Sequence, residues 1–288
     1  MIAVPRTAAL RRRLRWTHSW SARAGLLGLG LVLGVAFIGP VFAPYSTSEL
    51  AGIPYSKPSG EFLLGNDYLG EDVFSRVLSG GRTVILFGAL ATILAYAVGG
   101  TIGLVAGYGR SKLDPVLMRA MDVLLAFPPI LFLLVIATGA GASLVALVIA
   151  IAIIHVPSIA RIVRTAALET SVRGYVEAAV ARGDRTHVIL RREILPNIWG
   201  PIMADAGPRF TVSILLVAAV NFLGLGPSPP TADWALMISE NRSGITINPW
   251  AVVVPALLIA LLTVSVNTVA DAVAHSLGKS VDVETLRR

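Results

Sequence analysis

The stretch VLLAFPPILFLLVIATGAGASLVALVIAIAIIHVPSIA, residues 123 to 160, contains no Lys, Arg, Asp or Glu. About 20 apolar residues in a helix cross a hydrocarbon core of roughly 30 Å, so these 38 residues are too many for one span. Two helices would use the whole stretch, with the chain turning at Gly139, Ala140 and Gly141. The stretch therefore predicts a helical hairpin in a membrane, which forms spans three and four.

The rest of the chain predicts four more spans. Of its 288 residues, 55% are hydrophobic and only 14% are charged. Apolar segments cover residues 24–42, 83–107 and 250–270, and residues 210–223 anchor a fifth span that begins several residues earlier. Trp250 lies where an interfacial anchor is expected. The predicted fold is an all-α integral membrane protein with six transmembrane helices.

Small residues and prolines mark several spans. Gly99, Gly103 and Gly107 share one face of the second span, and this spacing of small residues lets another helix approach closely. Prolines remove backbone hydrogen bonds and tend to kink helices. Their kinks are compatible either with gates along a solute pathway or with ordinary packing of tilted helices. These prolines are Pro128, Pro129, Pro157, Pro208 and Pro255.

The basic residues orient the bundle. The net charge is +7, and the basic residues crowd the ends of the apolar segments, which is typical of membrane topology signals and not of nucleic-acid binding. With a cytoplasmic N-terminus, only four of the 24 Lys and Arg residues lie outside. These four are Lys57, Arg76, Arg82 and Arg242. The positive-inside rule thus predicts that both termini are cytoplasmic.

The spans contain few residues that could catalyse a reaction or bind a metal. The chain has no cysteine, which excludes disulfides and thiolate metal sites. His155 is the only histidine well inside a span and has no carboxylate or second histidine at helical spacing, so we interpret it as a packed, hydrogen-bonded core residue. Asp205 and Arg209, four residues apart near the inner end of span five, predict a local ion pair. We expect no catalytic, cofactor or metal site, and no self-powered secondary transporter.

One tripeptide resembles the end of a phosphate-binding loop. Gly278-Lys279-Ser280 matches the close of a P-loop, but Val273 stands where that loop needs a glycine. The tripeptide also follows a membrane span and not a strand. We therefore expect no nucleotide site here, so the energy for any transport has to come from outside this chain.

A charged loop lies between spans four and five. YVEAAVARGDRTHVILRREILP, residues 175 to 196, carries seven charged residues between two uncharged blocks. Its first part predicts a helix that ends at Gly183, placed for a left-handed cap. Asp184 or Thr186 is expected to cap a second helix, which Pro196 limits. The predicted pair of short helices is a docking element for another protein.

The small alanines let the first short helix sit deep in a groove of that protein, and charges at the rim can pair with it. The candidate rim residues are Glu177, Arg182 and Arg185.

This loop resembles the EAA motif of ABC importer permeases. Glu177-Ala178-Ala179, then Gly183, then Ile194-Leu195-Pro196 stand at the family's spacing, although Glu193 replaces an apolar residue of the pattern. In that family the loop is the coupling helix that docks on the ATPase subunit. The resemblance therefore implies that the following residues couple this chain to an ATPase: Glu177, Ala178, Ala179, Arg182, Gly183, Asp184, Arg185, Ile194, Leu195 and Pro196.

Two outer stretches narrow the resemblance to dipeptide and oligopeptide importer permeases. LLGNDYLGEDVFSRVLSGGRT, residues 63 to 83, and FLGLGPSPPTADWALMISENR, residues 222 to 242, are similar to two motifs of that family. The resemblance covers roughly residues 40 to 275. It implies that the outer segments meet an extracytoplasmic binding protein. The candidate residues for this contact are Gly65, Asp67, Gly70, Asp72, Pro229, Pro230 and Trp234.

The resemblance implies a MetI-like type I permease bundle in the bacterial cytoplasmic membrane, in contact with lipid. It implies a heterodimer with a homologous second permease and two cytoplasmic ATPase subunits that bind ATP and Mg, while this chain holds no cofactor. Within the family, nickel or another small solute is an alternative cargo. From another class, a stand-alone channel or secondary transporter is the alternative.

The spans divide the chain into parts. Arg11, Arg12, Arg13 and Arg15 precede the first apolar run, as in a secretory signal, but the run of 19 residues is longer than a typical signal core and is interpreted as a retained span. The predicted parts are a basic cytoplasmic N-terminus (1–23), the first transmembrane helix (24–42), an extracytoplasmic segment (43–81), a permease core of five helices (82–275) with a cytoplasmic coupling loop (162–201) and an outer loop (224–249), and a cytoplasmic tail (276–288).

Overall fold

The computed structural model describes residues 20–109, 113–140, 143–223, 225–226 and 231–285. Much of the basic N-terminus, including Arg11 to Arg15, lies outside these ranges, as do Gly141, Pro229 and Pro230. The described residues form helices, and their β-pairing is limited to two isolated bridges in the outer segment. The α-helices are α1 (Trp20–Phe37), α2 (Val73–Ser79), α3 (Gly81–Gly109), α4 (Leu113–Leu125), α5 (Pro129–Gly139), α6 (Leu144–Ser171), α7 (Gly174–Ala181), α8 (Thr186–Ile189), α9 (Trp199–Phe222), α10 (Trp234–Asn241) and α11 (Trp250–Thr285).

Five described segments are long and apolar enough to cross a membrane: α1, α2 together with α3, α6, α9 and α11. The sixth is a bent pair, because α4 and α5 pass the same test together but meet at 79°. The six-span all-α prediction is confirmed in this form. Since α11 continues through residues 278 to 280, the P-loop-like tripeptide lies within a helix.

The third span, predicted from residue 123 to the turn at Gly139, is divided into two helices at its prolines. The chain leaves the helix after Leu125, and Pro128 and Pro129 begin the next one, α5. A proline disfavours helical geometry in the residue before it, so this pair ends one helix and starts another. The 11 residues of α5 reach only about 16 Å, or half of a hydrocarbon core.

The first helix also differs from its predicted bounds of 24 to 42. It covers Trp20–Phe37, and a separate 3-10 turn covers Gly39–Phe42. Pro40 stands in the first turn of this 3-10 segment, where its missing N–H costs nothing. The hydrophobic run therefore continues past the end of the helix.

The predicted glycine face on the second span is confirmed as a helix contact. A Cβ atom at Gly99, Gly103 or Gly107 would lie only 2.8, 2.5 or 2.6 Å from a carbonyl oxygen of α6. These oxygens belong to Val156, Ala160 and Arg164. The backbones of α3 and α6 approach this closely because glycine leaves room, as is typical of membrane helix pairs.

Helix α9 carries the predicted pair of charged residues in its first half. The helix begins at Trp199 and has 24 residues, or about 36 Å of length. Asp205 and Arg209 are six and ten residues from its start, which corresponds to about 9 and 15 Å. Arg209 therefore lies near the middle of this helix, and Asp205 lies about a quarter of the way along it. The predicted ion pair is present, with Arg209 Nε 3.1 Å from Asp205 Oδ2.

Candidate functional site

The loop that was predicted to couple to an ATPase contains the predicted helix, glycine and second helix. Helix α7 covers Gly174–Ala181, and Gly183 follows with a φ of 79°. Only glycine adopts this left-handed conformation without strain, and it ends the helix as expected. The two short helices thus meet at Gly183.

The start of the second helix differs from the prediction. Its N-cap position is Arg185, and no side chain caps it, so the expected caps by Asp184 or Thr186 are wrong. The Asp184 carboxylate accepts a hydrogen bond of 2.8 Å from Arg182 and is thereby turned away from the helix start. After α8 the chain widens into a π-helical turn, Leu190–Ile194, and then tightens into a 3-10 turn that contains Pro196.

The underside of the loop is packed on the membrane helices. Five apolar residues of the loop and its exit are buried in a cluster that also contains Val163 and Ala167 of α6. The five are Val176, Ala179, Ile189, Ile194 and Ile198. Ala179 and Ile194 therefore anchor the loop within the chain. A force on α7 would be transmitted to α6 and α9 through this packing, because close-packed interiors have low compressibility.

The upper side of the loop is available to a partner. Glu177, Ala178, Gly183 and Arg185 are exposed, as is Pro196, while Leu195 is half-buried. Among the residues that the structure describes, neither Glu177 nor Arg185 forms an ion pair. Arg182 forms ion pairs inside the loop, with Asp184 at 2.8 Å and with Glu193 at 3.9 Å. The non-standard Glu193 of the motif is thus in reach of a cation of the same loop.

The structure places five of the seven candidate binding-protein residues inside the chain. Gly65, Asp67, Gly70, Asp72 and Trp234 are all buried. They support the outer surface and do not form it. Pro229 and Pro230 lie outside the described residues.

The buried glycines and aspartates shape the outer segment. Gly65 and Gly70 have φ values of 71° and 90°, which favour glycine. One oxygen of Asp67 accepts hydrogen bonds of 2.9 Å from the backbone N–H groups of Leu69 and Glu71. Asp72 caps α2 by accepting hydrogen bonds from Ser75, at 2.9 Å from its N–H and 2.6 Å from its hydroxyl.

A buried charge cluster joins the two outer segments. Arg76 forms ion pairs with Asp67 and Glu71 of its own segment and, at 3.1 Å, with Glu240 of α10. The Tyr68 hydroxyl lies 3.2 Å from Glu240 and donates to it. We call Asp67, Glu71, Arg76 and Glu240 the outer charge cluster. It places three carboxylates around one guanidinium.

Burial raises the pKa of two of these carboxyls, Glu71 and Glu240. Burial raises the pKa of Glu71 to about 7, and the neighbouring Asp67 raises it further while Arg76 opposes the rise. Burial also raises the pKa of Glu240, against the opposing charge of Arg76. A carboxyl with a pKa near 7 holds a proton in much of the population at neutral pH, which reduces the buried negative charge.

Trp234 holds α10 against the start of α3. Its indole Nε1 donates to the carbonyl oxygen of Val77 at 2.8 Å, and its ring covers Gly80 and Gly81, where a Cβ atom would be 2.9 and 2.5 Å from the ring. Asp233 caps α10 and also accepts a 2.9 Å hydrogen bond from Asn221 of α9. The sequence motif marked this segment as special, but its position within the fold was not predictable from it.

A mid-membrane polar cluster brings three helices together. Tyr96 of α3 donates a hydrogen bond of 2.7 Å to Asp205 Oδ2, and Arg209 Nε donates to both oxygens of Asp205 at 3.1 Å. His155 of α6 is buried and lies within electrostatic reach of both charges. The prediction of a packed His155 is confirmed, but its Nε2 atom has no hydrogen-bond partner. The ion pair was predictable from the sequence, but the contact of Tyr96 was not, because no spacing connects Tyr96 to α9.

Metal binding has no evident site in the described ranges, since no three His, Asp or Glu side chains there are grouped to hold an ion. The outer carboxylates are instead occupied by Arg76.

Comparisons with known proteins show extended similarity. Residues 99–282 match the family of the binding-protein-dependent transport system inner membrane component. The di/tripeptide transport system permease protein DppC of Pseudomonas aeruginosa is 35% identical over 269 residues, which are 91% of this chain and 89% of that protein. The glutathione transport system permease protein GsiD of Pectobacterium atrosepticum is 34% identical, over 92% of this chain and 91% of that protein.

The fold is also similar to a solved structure. A chain of the MetNI methionine ABC transporter in an inward-facing conformation superposes with a TM-score of 0.54 and 18% identity. The match covers 67% of this chain and 94% of that one. At this identity the match concerns the fold alone.

Proposed function

Because this chain belongs to the binding-protein-dependent transport system inner membrane components, we propose that it forms half of the translocation pathway of an ATP-driven peptide importer. It is a multi-pass protein of the bacterial inner membrane. The similarity over about nine-tenths of relatives that carry di/tripeptides or glutathione supports a short peptide as cargo. The single observation that carries the proposal is this end-to-end similarity.

The proposed assembly contains a homologous second permease, two cytoplasmic ATPase subunits and an extracytoplasmic binding protein. Both termini of this chain are cytoplasmic in the proposal, and its lipid-facing side chains contact the bilayer. ATP and Mg bind to the ATPase subunits, and this chain carries out no covalent chemistry. The exposed side of the coupling loop meets an ATPase, and the outer segments meet the binding protein.

The packing of the loop suggests how the ATPase subunits change the conformation of the transmembrane helices. When the ATPase subunits close on ATP, α7 is displaced together with Gly183 and α8. The buried side chains Val176 and Ile194 transmit this displacement to α6 and α9, so that the bundle changes from inward-facing to outward-facing. Coupling of this kind requires that the ATPase contacts differ between the two states.

Reconstitution tests the proposal. The chain is expressed with the second permease, the ATPase subunits and the binding protein of its gene neighbourhood, and the purified complex is placed in proteoliposomes. We expect uptake of a labelled dipeptide that needs both ATP and the binding protein. Uptake without ATP would favour a stand-alone channel or secondary transporter. ATP-dependent uptake of nickel but not of peptide would identify nickel as the cargo.

A further inference from the structure

Arg209 occupies a costly position in the bundle. It lies about 15 Å along α9, near the middle of this candidate membrane span, where an ionised side chain is expensive and is usually functional. The Asp205 carboxylate balances its charge, and Tyr96 completes the hydrogen bonding of Asp205 from α3. The pair alone explains why the charge is tolerated, but not why it is present.

Only part of the hydrogen-bonding capacity of the Arg209 guanidinium is used. Within the described part of the chain its hydrogen bonds all come from Nε, and both go to Asp205. The two terminal nitrogens, Nη1 and Nη2, form no hydrogen bond there. The Arg209 side chain is 22% exposed, compared with 1% for Arg76 in the outer charge cluster. The outer end of the guanidinium thus reaches the surface of this chain at mid-membrane depth.

The neighbouring face of α9 is exposed along the length of the helix. Its exposed residues follow a helical stripe, and Arg209 lies at the edge of that stripe. The stripe comprises Ala204, Pro208, Val212, Leu215 and Phe222. In the outer half it joins an apolar groove, which α5 and α10 complete with Ile130 and Ile238. This groove ends at Leu215, which is six residues, or about 9 Å, along the helix from Arg209. An apolar surface near a cationic side chain suits a solute with an apolar part and an anionic end.

We propose that Arg209 binds the C-terminal carboxylate of the peptide as it crosses the middle of the membrane. Asp205 and Tyr96 act as positioning residues that hold Nε and leave Nη1 and Nη2 free. A guanidinium binds a carboxylate with two parallel hydrogen bonds, which a single ammonium cannot reproduce. Lipid phosphates lie at the ends of a membrane span and not near its middle, so on the proposed function the peptide is the anion that passes Arg209. This inference rests on the proposed function.

The test has to separate a substrate contact from the structural ion pair. Arg209→Gln alone leaves Asp205 as an unpaired carboxylate inside the bundle, and that defect by itself can destabilise the protein. The double variant Asp205→Asn/Arg209→Gln removes both charges together and keeps similar shapes. Arg209→Lys keeps the cation but not the planar fork.

The measurement is ATP-dependent uptake of a dipeptide by the complete reconstituted complex, with its content of second permease quantified in parallel. We expect the double variant to assemble like the wild type but to take up peptide about tenfold more slowly. Arg209→Lys is expected to keep an intermediate rate. As the matched control, Asp122→Asn/Arg161→Gln removes a pair that is about half exposed, and uptake should stay close to wild type.

Three results would overturn the inference. If the double variant transports at the wild-type rate, Arg209 is only the partner of Asp205. If Arg209→Gln transports normally, the guanidinium has no contact with the peptide. If the purified variant complexes contain less of the second permease, Arg209 is a residue of the interface between the two permeases. Failure of the wild-type complex to take up peptide would instead reject the proposed function.

Discussion

The indole Nε1 of Trp234 donates a hydrogen bond of 2.8 Å to the carbonyl oxygen of Val77, which directly joins two outer segments that are distant in sequence. Both residues are buried, and the outer charge cluster lies in the same region, between α2 and α10. The outer surface of the permease is therefore one connected unit and not two separate loops.

Removing the indole N–H should loosen this unit. Trp234→Phe keeps an aromatic ring but leaves the Val77 carbonyl without its donor, at a cost of about 1–3 kcal/mol. We expect a lower Tm of the detergent-purified protein. Trp250→Phe, at a tryptophan that is 44% exposed, is the control and should change the Tm less. Equal effects of the two substitutions would contradict a specific role for the Trp234 bond.

The glycine face between α3 and α6 should not accept side chains. Gly103→Ala would place its Cβ atom 2.5 Å from the Ala160 carbonyl oxygen, and separating the helices costs about 1–3 kcal/mol. We expect a lower yield of folded protein and a lower Tm. Gly100→Ala lies in the same helix with nothing within 4 Å, so it should be neutral or slightly stabilising. A Gly103→Ala protein as stable as Gly100→Ala would argue against the close contact.

The left-handed conformation of Gly183 should matter for coupling. A Cβ atom there meets open space, so Gly183→Val acts through backbone strain of about 1–3 kcal/mol and not through a clash. We expect normal membrane insertion but reduced ATP-coupled uptake. Gly183→Asn should retain more activity, since asparagine tolerates this conformation better.

Gly200→Ala serves as the control for the Gly183 substitutions, because a Cβ atom at this helical position also meets open space. Its uptake should match that of the wild type. Uptake by Gly183→Val at the level of Gly200→Ala would count against a coupling role for the turn.

The outer charge cluster should make stability depend on pH. The pKa of Glu71 is about 7 in the folded protein, above its ordinary value of 4.5. In the window between these two pH values, the native state holds a proton on Glu71 that the unfolded state releases. Stability should therefore be highest below this window and fall as the pH rises from about 4.5 to about 7. The groups that face Glu71 are Arg76, Asp67 and Glu240.

The measurement is the Tm of the purified protein between pH 4.5 and 8. Glu71→Gln mimics the protonated form and should flatten the decline, whereas Glu61→Gln, at an exposed position, should leave its slope unchanged. A slope that survives in Glu71→Gln would assign the dependence to another group.

Features encoded locally were predictable from the sequence. The lengths of the apolar runs indicated six spans, the spacing of Gly99, Gly103 and Gly107 indicated a close helix contact, and Gly183 marked the turn between α7 and α8. Each depends on residues a few positions apart, where helix geometry and backbone sterics act directly. The charge distribution then indicated the topology, and the EAA-like loop with the two outer motifs indicated the family.

Only the tertiary structure showed which distant side chains meet. It buried Asp67 and Trp234 inside the outer unit, and it brought Tyr96 and His155 to the ion pair of Arg209 at mid-membrane depth. It also decided that Pro128 and Pro129 divide the third span at 79°. The reason is physical: a helical period states which residues share a face, but the partner of that face depends on how separate helices pack together.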